Sequence, residues 1–176
     1  MTRSYLALGA NLGDRLANLR RAVRLLEERG ARLLRSSRVY ETEPVGPPQP
    51  DYLNAVIEVE TDLSPRGLLI ACLAVEQAMG RVRGERWGPR VIDVDILTFG
   101  DVEVDEPDLQ IPHPRMHERG FVMIPLLELD ADPMLPGGRA ASGLRMGAWS
   151  IGGVRPFAPP LETASSGPDA RASSGA

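Results

Sequence analysis

The chain has 176 residues, of which 43% are hydrophobic and 25% are charged, a length and composition typical of one folded domain with its own hydrophobic core. Its formal net charge of -4 excludes an overall electrostatic attraction to nucleic acid or anionic lipid, so any anion-binding site must be a local cluster. All twenty basic residues are arginine, which excludes mechanisms that need a lysine, such as P-loop phosphate binding and Schiff-base catalysis.

The first part of the sequence predicts three strands and one helix. Residues 4–10 have the composition of a strand and lead into a Gly-rich turn. A helix then begins at Asp14, carries apolar residues three and four apart, and ends at Gly30. Residues 33–42 and 52–60 predict the second and third strands, separated by a Pro-rich loop.

A second helix and a fourth strand follow. Ser64 and Pro65 are typical of a helix start, and Glu76 lies on the apolar stripe of this helix. After an Arg- and Gly-rich loop, residues 91–99 predict a strong strand. The order βαββαβ predicts an α+β fold with a ferredoxin-like antiparallel sheet, in which both helices cover one face and the other face is free for a site.

The C-terminal part has a different composition. Prolines interrupt the segment after the fourth strand, which predicts short turns or helices around residues 121–129. Gly, Ala, Ser and Pro then make up 26 of the last 40 residues. We therefore predict a folded domain over residues 1–136 and a low-complexity, mostly disordered tail over residues 137–176, in which Trp149 and Phe157 could still dock locally.

The single cysteine and the apolar segments indicate a cytoplasmic location. Cys72 lies in an apolar helical run, where we expect a buried core thiol rather than a nucleophile. The apolar stretch at residues 6–10 is shorter than a signal-peptide core, and no uncharged stretch approaches the length of a membrane span.

Two acids on the fourth strand are the first candidate site residues. Asp93 and Asp95 are two positions apart, so both side chains point to one face, about 6.6 Å apart along the strand. Their apolar neighbours, such as Val94, point to the other face. Because Mg²⁺ takes one or two protein carboxylates together with water and phosphate oxygens, the pair indicates a metal–nucleotide site. The alternative is a solvent-facing strand without a ligand.

An arginine cluster lies directly upstream of the acids. Arg81, Arg83, Arg86 and Arg90 occur within ten residues, and guanidinium groups make forked, charge-assisted hydrogen bonds to phosphate. Next to a carboxylate pair, this cluster predicts polyphosphate binding, although such a run could also be a solvated loop or a nucleic-acid patch. Trp87 within it is either a lid over the site or a hydrophobic plug that anchors the loop.

Three further polar residues have open assignments. Glu76 could orient an arginine, contact a nucleotide or form a structural salt bridge. His113 and His117 are four residues apart, but the flanking prolines argue against a helix and hence against a zinc site. His113 with Arg119 is better interpreted as a phosphate-binding pair, against the alternative of plain surface residues.

Several ordered motifs resemble one enzyme family. Residues 86–97 (Arg-Trp-Gly-Pro-Arg-Val-Ile-Asp-Val-Asp-Ile-Leu) resemble the signature of the 6-hydroxymethyl-7,8-dihydropterin pyrophosphokinases. Further matching blocks occur at residues 8–13, 40–46, 50–54, 112–116 and 119–121. The resemblance covers residues 4–136, and several blocks in the right order make it specific.

The resemblance implies a reaction and a nucleotide site. It implies transfer of the terminal pyrophosphate of ATP to the hydroxymethyl group of a reduced pterin, with release of AMP, in folate biosynthesis on a ferredoxin-like fold. Two Mg²⁺ ions would bridge the triphosphate, held by Asp93 and Asp95. Arg81 and Arg90 would stabilise the transferring group. The residues implied around ATP are Glu76, Arg83, Arg86, Trp87, Ile96, His113 and Arg119.

The same resemblance implies a pterin site. Tyr52 and Phe121 would sandwich the flat ring, while Thr42, Val45 and Asn54 would contact its edge through hydrogen bonds and packing. The implied partners are small-molecule substrates, and we expect a monomer that binds neither nucleic acid nor a membrane.

Two other classes of function are less consistent with the residues. Ferredoxin-like sheets also bind RNA, but such modules stack bases on exposed aromatics, and this chain is only 5% aromatic. A glycosyltransferase could use an Asp-x-Asp pair with a sugar nucleotide, but no Rossmann-like alternation of strands and helices surrounds the pair.

Overall fold

An antiparallel sheet organises the chain. The computed structural model describes residues 1–44, 46–80, 90–144 and 153–163. The elements are β1 (Thr2–Ala10), α1 (Arg15–Glu28), β2 (Ala31–Ser36), β3 (Val39–Thr42), β4 (Tyr52–Thr61), α2 (Pro65–Ala78), β5 (Asp93–Phe99), β6 (Val104–Glu106), β7 (Leu109–Ile111), α3 (Gly120–Leu129) and β8 (Val154–Ala158).

The strands of the main sheet are all antiparallel to their neighbours. Five of them follow the order β5, β1, β4, β3 and β8, and β2 also pairs with β4. The short strands β6 and β7 form a separate hairpin. The mixed α and β architecture and the antiparallel sheet expected from the sequence are confirmed.

Both predicted helix starts are capped by their own side chains. Asp14 accepts a hydrogen bond from the Ala17 amide at 3.1 Å, and Ser64 accepts one from the Gly67 amide at 3.0 Å, so each satisfies an N–H group that has no partner within the helix. Gly30, with φ of 95°, follows the end of α1 in a conformation that favours glycine. No helix among the described residues is long and apolar enough to cross a membrane.

The strand predicted over residues 33–42 is two strands, because the chain breaks its ladder at Ser37. This residue is fully buried. Its amide donates to the Val56 carbonyl at 2.8 Å, and its hydroxyl accepts from the Val56 amide at 3.0 Å. A side chain thus replaces one backbone partner, and both polar groups of Val56 stay satisfied where the strand is interrupted.

The sheet is covered on both faces, but by different helices. One face carries Leu6 and Leu8 and packs against α1 and α2 through fully buried leucines such as Leu19, each of which contributes about 2 kcal/mol. The other face carries Val56 and Leu97, which form a second cluster with α3. The α3 residues in that cluster are Val122, Met123 and Leu126. The helix expected around residues 121–129 is therefore confirmed.

The structure corrects the predicted tail for residues 153–163. Instead of being disordered, β8 pairs with β3, and Leu161 is buried in the first core cluster while its amide donates to Ser36 Oγ at 3.1 Å. Pairing with β8 provides hydrogen-bond partners for the backbone N–H and C=O groups on the edge of β3 that faces away from β4. Composition alone does not reveal this stabilisation. Phe157 docks under the Arg15 guanidinium, 5.3 Å from the ring centre. Trp149 and the rest of the predicted tail beyond residue 144 lie outside the described residues.

Candidate active site

The acid pair lies on β5 beside the C-terminal half of β1. Asp93 pairs with Gly9 and Asp95 pairs with Ala7, and paired residues point to the same face of the sheet. Val94 is buried in the core cluster that includes residues of α1 and α2, so the side chains of the two acids point to the opposite face of the sheet. Asp95 is exposed and Asp93 is 35% exposed, so both carboxylates are accessible to a ligand.

Arg90 is held next to Asp93 by its backbone. Its Nε lies 3.9 Å from Asp93 Oδ1, and its side chain is only 14% exposed. The Arg90 amide donates to Asn11 Oδ1 at 2.8 Å, and the Asn11 amide donates to the Arg90 carbonyl at 3.0 Å. These two hydrogen bonds fix the start of β5 against the end of β1.

Asn11 also holds the loop that precedes β4, a role that sequence reasoning missed. Its Nδ2 donates to Gln49 Oε1 at 2.8 Å and to the Pro50 carbonyl at 3.0 Å, and the residue is almost completely buried. The signals in the sequence were the position of Asn11 in the turn after β1 and its place in the family-like block at residues 8–13. One amide therefore links β1, Arg90 and the loop next to Tyr52.

A polar pair on β3 and β4 continues the row that starts at Asp93. Gly9 pairs with Asp93 on one side and with Asn54 on the other. Asn54 Nδ2 donates to Thr42 Oγ1 at 2.5 Å, and both residues are buried. Because this hydrogen bond is made by the NH₂ group of the Asn54 side chain, the side-chain oxygen Oδ1 is left as an acceptor on the face that carries Asp93.

Side-chain atoms of Asn54 and Tyr52 lie close to the position that a Cβ of residue 9 would occupy. A Cβ at this position would lie 2.9 Å from Asn54 Oδ1 and 3.5 Å from Tyr52 Cδ1. The first distance is too short for an ordinary contact, so any larger residue would displace the Asn54 amide.

Tyr52 connects the polar pair to the acid pair. Its pKa is raised, first by burial and then by the negative charge of Asp93, while Arg90 opposes the shift. The phenol is therefore neutral near pH 7, and its ring lies within the electrostatic reach of both Arg90 and Asp93.

His113 lies near Asp95 on the other side of the acid pair. Its amide donates to the Leu97 carbonyl at 2.9 Å, and its Nδ1 accepts from the Arg115 amide at 3.2 Å. Burial lowers the pKa of His113, the charges of Arg119 and Arg115 lower it further, and Asp95 raises it. The ring is thus neutral near pH 7, and with Nδ1 as acceptor its proton is on Nε2, available to an anionic ligand.

Arg119 and Phe121 lie at the start of α3. The Arg119 guanidinium is 5.7 Å from the centre of the Phe121 ring, within cation–π range. Phe121 packs against the second core cluster, and this contact restricts the position of its ring.

The donor set around β5 suits Mg²⁺ rather than zinc. Within the described residues there is no group of three or more His, Cys, Asp or Glu side chains that could hold a metal ion. Two accessible carboxylates fit Mg²⁺, which keeps waters and binds substrate phosphates. They do not fit a closed zinc site, which needs about four protein ligands.

The remaining predicted site residues are either buried or lie outside the residues that the structure describes. Glu76 is 4% exposed on α2, and Ile96 is buried in the first core cluster, so only the Ile96 backbone can contact a ligand on the acid face. Burial, Glu76 and Asp95 raise the pKa of Cys72 to about 12, as expected for a core thiol. Outside the described residues lie Val45, Arg81, Arg83, Arg86 and Trp87.

Comparison with known proteins identifies the family. The model of the 7,8-dihydro-6-hydroxymethylpterin-pyrophosphokinase (HPPK) family matches residues 5–131. The chain belongs to the HPPK family. The 2-amino-4-hydroxy-6-hydroxymethyldihydropteridine pyrophosphokinase of Methylorubrum extorquens is 45% identical over 139 residues, which are 78% of this chain and 88% of the relative. The enzyme of the same name from Bacillus subtilis is 45% identical over 128 residues, which are 72% of this chain and 77% of the relative.

Solved structures agree at the level of the fold. A crystal structure of Plasmodium falciparum HPPK-DHPS with SDX-DHP matches 77% of this chain with a TM-score of 0.59 and 16% sequence identity. This chain covers 43% of that longer chain. At this identity the likeness supports the shared fold alone.

The titration of His113 tests the geometry of the site. In the metal-free protein, we expect NMR to find its pKa below the value of about 6.5 of an exposed histidine. Asp95→Asn should lower this pKa further, because the Asp95 carboxylate is the neighbour that favours the charged ring. Asp101→Asn, in an exposed turn, is the control, and His117→Gln assigns the two histidine signals. A pKa that rises in Asp95→Asn would contradict the placement of His113.

Proposed function

We propose that this chain transfers the terminal pyrophosphate of ATP to the hydroxymethyl group of 6-hydroxymethyl-7,8-dihydropterin, giving the pterin diphosphate and AMP. Membership of the HPPK family supports the reaction, and the relatives are named as pyrophosphokinases of the same substrate. One observation of this structure carries the proposal: Asp93 and Asn54 flank Gly9 in a single row across three strands. The proposed phosphate side and the proposed ring-binding side would therefore be adjacent on one surface.

The proposed topology is ferredoxin-like, with the site on the sheet face opposite α1 and α2. The strand order β5, β1, β4, β3 supports this topology. The membership of the two core clusters supports the choice of face. Because α3 covers Val56 and Leu97 on that same face, the proposed site occupies the part next to α3, over Gly9 and Asn54.

The proposed phosphate side uses carboxylates and guanidiniums of opposite charge. Asp93 and Asp95 would hold two Mg²⁺, which when bound neutralise phosphate charge and orient the triphosphate. Arg90 is the described arginine beside the pair, and its restricted, mostly buried side chain is preorganised to donate to a phosphate oxygen. Arg81 would share this task, with Arg83 and Arg86 on the outer phosphates.

The proposed nucleotide contacts continue toward α3. His113 would donate a hydrogen bond from Nε2 to a phosphate, because its neutral form carries the proton there, and Arg119 would add a charge-assisted contact. Ile96 would contribute through its backbone, since its side chain is in the core. Glu76 and Trp87 complete the proposed set by family resemblance.

The proposed pterin side uses one oriented amide and two rings. Thr42 holds Asn54 Nδ2, so Asn54 Oδ1 is directed to accept a hydrogen bond from the edge of the ring. Tyr52 and Phe121 would stack on its two faces, and Val45 would pack against it. A monomeric state and a cytoplasmic location stay predictions.

The acids are tested by replacing them one at a time. Asp93→Ala and Asp95→Ala should each lower Mg²⁺-dependent AMP formation by about 100-fold or more, because each removes an anchor for charge stabilisation. The measurement is a turnover assay with ATP, Mg²⁺ and the hydroxymethyl pterin, analysed for AMP and the pterin diphosphate. Asp101→Ala is the matched control, since it is an exposed acid just after β5. Near-normal turnover in a correctly folded acid variant would refute the assignment.

Gly9 tests the pterin side without removing any polar group. Gly9→Ala should raise the KM for the pterin by about tenfold or more, because its new Cβ displaces the Asn54 amide. The KM for ATP should change far less. Gly143→Ala serves as the control, because a Cβ there meets nothing within 4 Å. An unchanged pterin KM would contradict the proposed placement of the pterin ring beside Gly9 and Asn54.

A further inference from the structure

The strand β8 contacts the loop between β3 and β4 although it lies outside the residues that match the family. The family match ends at residue 131, whereas β8 begins at Val154 and pairs with Thr42. The Glu43 amide also donates to the Gly153 carbonyl at 3.3 Å. The C-terminal segment therefore borders β3, the strand whose Thr42 accepts the hydrogen bond from Asn54.

Arg155 on β8 joins the two ends of that loop. Its Nη2 donates to Glu41 Oε1 at 2.9 Å and to Asp51 Oδ2 at 3.2 Å. Glu41 directly precedes Thr42, and Asp51 directly precedes Tyr52. A single nitrogen thus bridges the residues next to two members of the proposed pterin site.

Arg15 makes a parallel bridge from α1. Its Nη1 donates to Glu41 Oε2 at 2.9 Å and to the Asp51 carbonyl at 3.0 Å. The Arg15 guanidinium also lies over the Phe157 ring of β8. We call Arg15, Glu41, Asp51 and Arg155 the loop clamp.

The charges of the loop clamp are matched. Arg155 and Arg15 hold the pKa of Glu41 below its ordinary value, so this carboxylate is ionised near pH 7. Arg155 is 46% exposed, and exposed ion pairs contribute little to the stability of a fold. A bridge between two loop ends can still restrict their separation, which matters for a site built on both.

We propose that Arg155 is a positioning residue for the pterin site: by holding Glu41 to Asp51 it keeps Thr42 and Tyr52 in the arrangement that binds the ring. This inference rests on the proposed function. Arg155 acts through the loop clamp and does not contact the substrate. Its loss therefore weakens pterin binding while the nucleotide side, built on β5 and His113, is unaffected.

The test compares Arg155→Ala, Arg155→Lys and a control in the full chain. We expect Arg155→Ala to raise the KM for the pterin by about fivefold, with kcat and the KM for ATP within about twofold of the original protein. Arg155→Lys should restore the pterin KM to within about twofold, because one nitrogen makes both contacts and an ammonium group supplies several donors. Arg32→Ala is the matched control, since Arg32 is an exposed sheet arginine that pairs with Glu60 at 2.7 Å.

Asp51→Asn gives a second, independent variant. It should raise the pterin KM in the same selective way, and adding Arg155→Ala to it should have less effect than in the original protein, because the two residues act through one contact. The difference between Arg155→Ala and the original protein should also narrow at high ionic strength, where exposed charges are screened.

Three results would overturn the inference. These are an unchanged pterin KM in both Arg155→Ala and Asp51→Asn, an equal rise in the KM for ATP, and an Arg155→Lys variant as impaired as Arg155→Ala. A failure of the proposed function is distinguishable, because the unsubstituted chain would then form no AMP from ATP and the pterin.

Discussion

The register of three neighbouring strands is the constraint on which the proposed site depends. It places Asp93, Gly9 and Asn54 in one row, so that a carboxylate and an oriented amide lie on the same face, two strand spacings or about 10 Å apart. A slip of one residue in either pairing would turn one of these side chains toward the helical core. Glycine at the middle position leaves the Asn54 amide in place, because a Cβ there would lie only 2.9 Å from Asn54 Oδ1.

The polar groups of the site are oriented before any ligand arrives. Thr42 holds the Asn54 amide, Asn11 holds the Arg90 backbone, and the Arg115 amide holds Nδ1 of His113. Each of these hydrogen bonds fixes the orientation of a group that we propose contacts a substrate. Preorganisation of this kind lowers the cost of ordering side chains on binding.

Local signals in the sequence were sufficient for much of the fold. Asp14 and Ser64 predicted helix starts because a cap acts within one helical turn, and the alternation around Asp93 and Asp95 predicted their common face because strand geometry has a period of two. These features need only neighbours in the chain. The same reasoning predicted the antiparallel sheet from the order of its elements.

The features that the sequence did not predict all depend on distant partners. The hydroxyl that breaks the second strand acts through Val56, and the role of Asn11 depends on Gln49 and Arg90. The strand β8 was hidden by a composition rich in Gly, Ala, Ser and Pro, and its pairing with the edge of β3 depends on residues more than 100 positions earlier in the chain. No local pattern around Arg155 indicates that it meets Glu41 and Asp51.

A crystal structure with Mg²⁺, a non-hydrolysable ATP analogue and the hydroxymethyl pterin would test this account most directly. We expect metal ions on the carboxylates of Asp93 and Asp95, and the pterin ring above Gly9 with its edge against Asn54. A metal bound elsewhere, or a pterin on the face that packs against α1 and α2, would contradict the account.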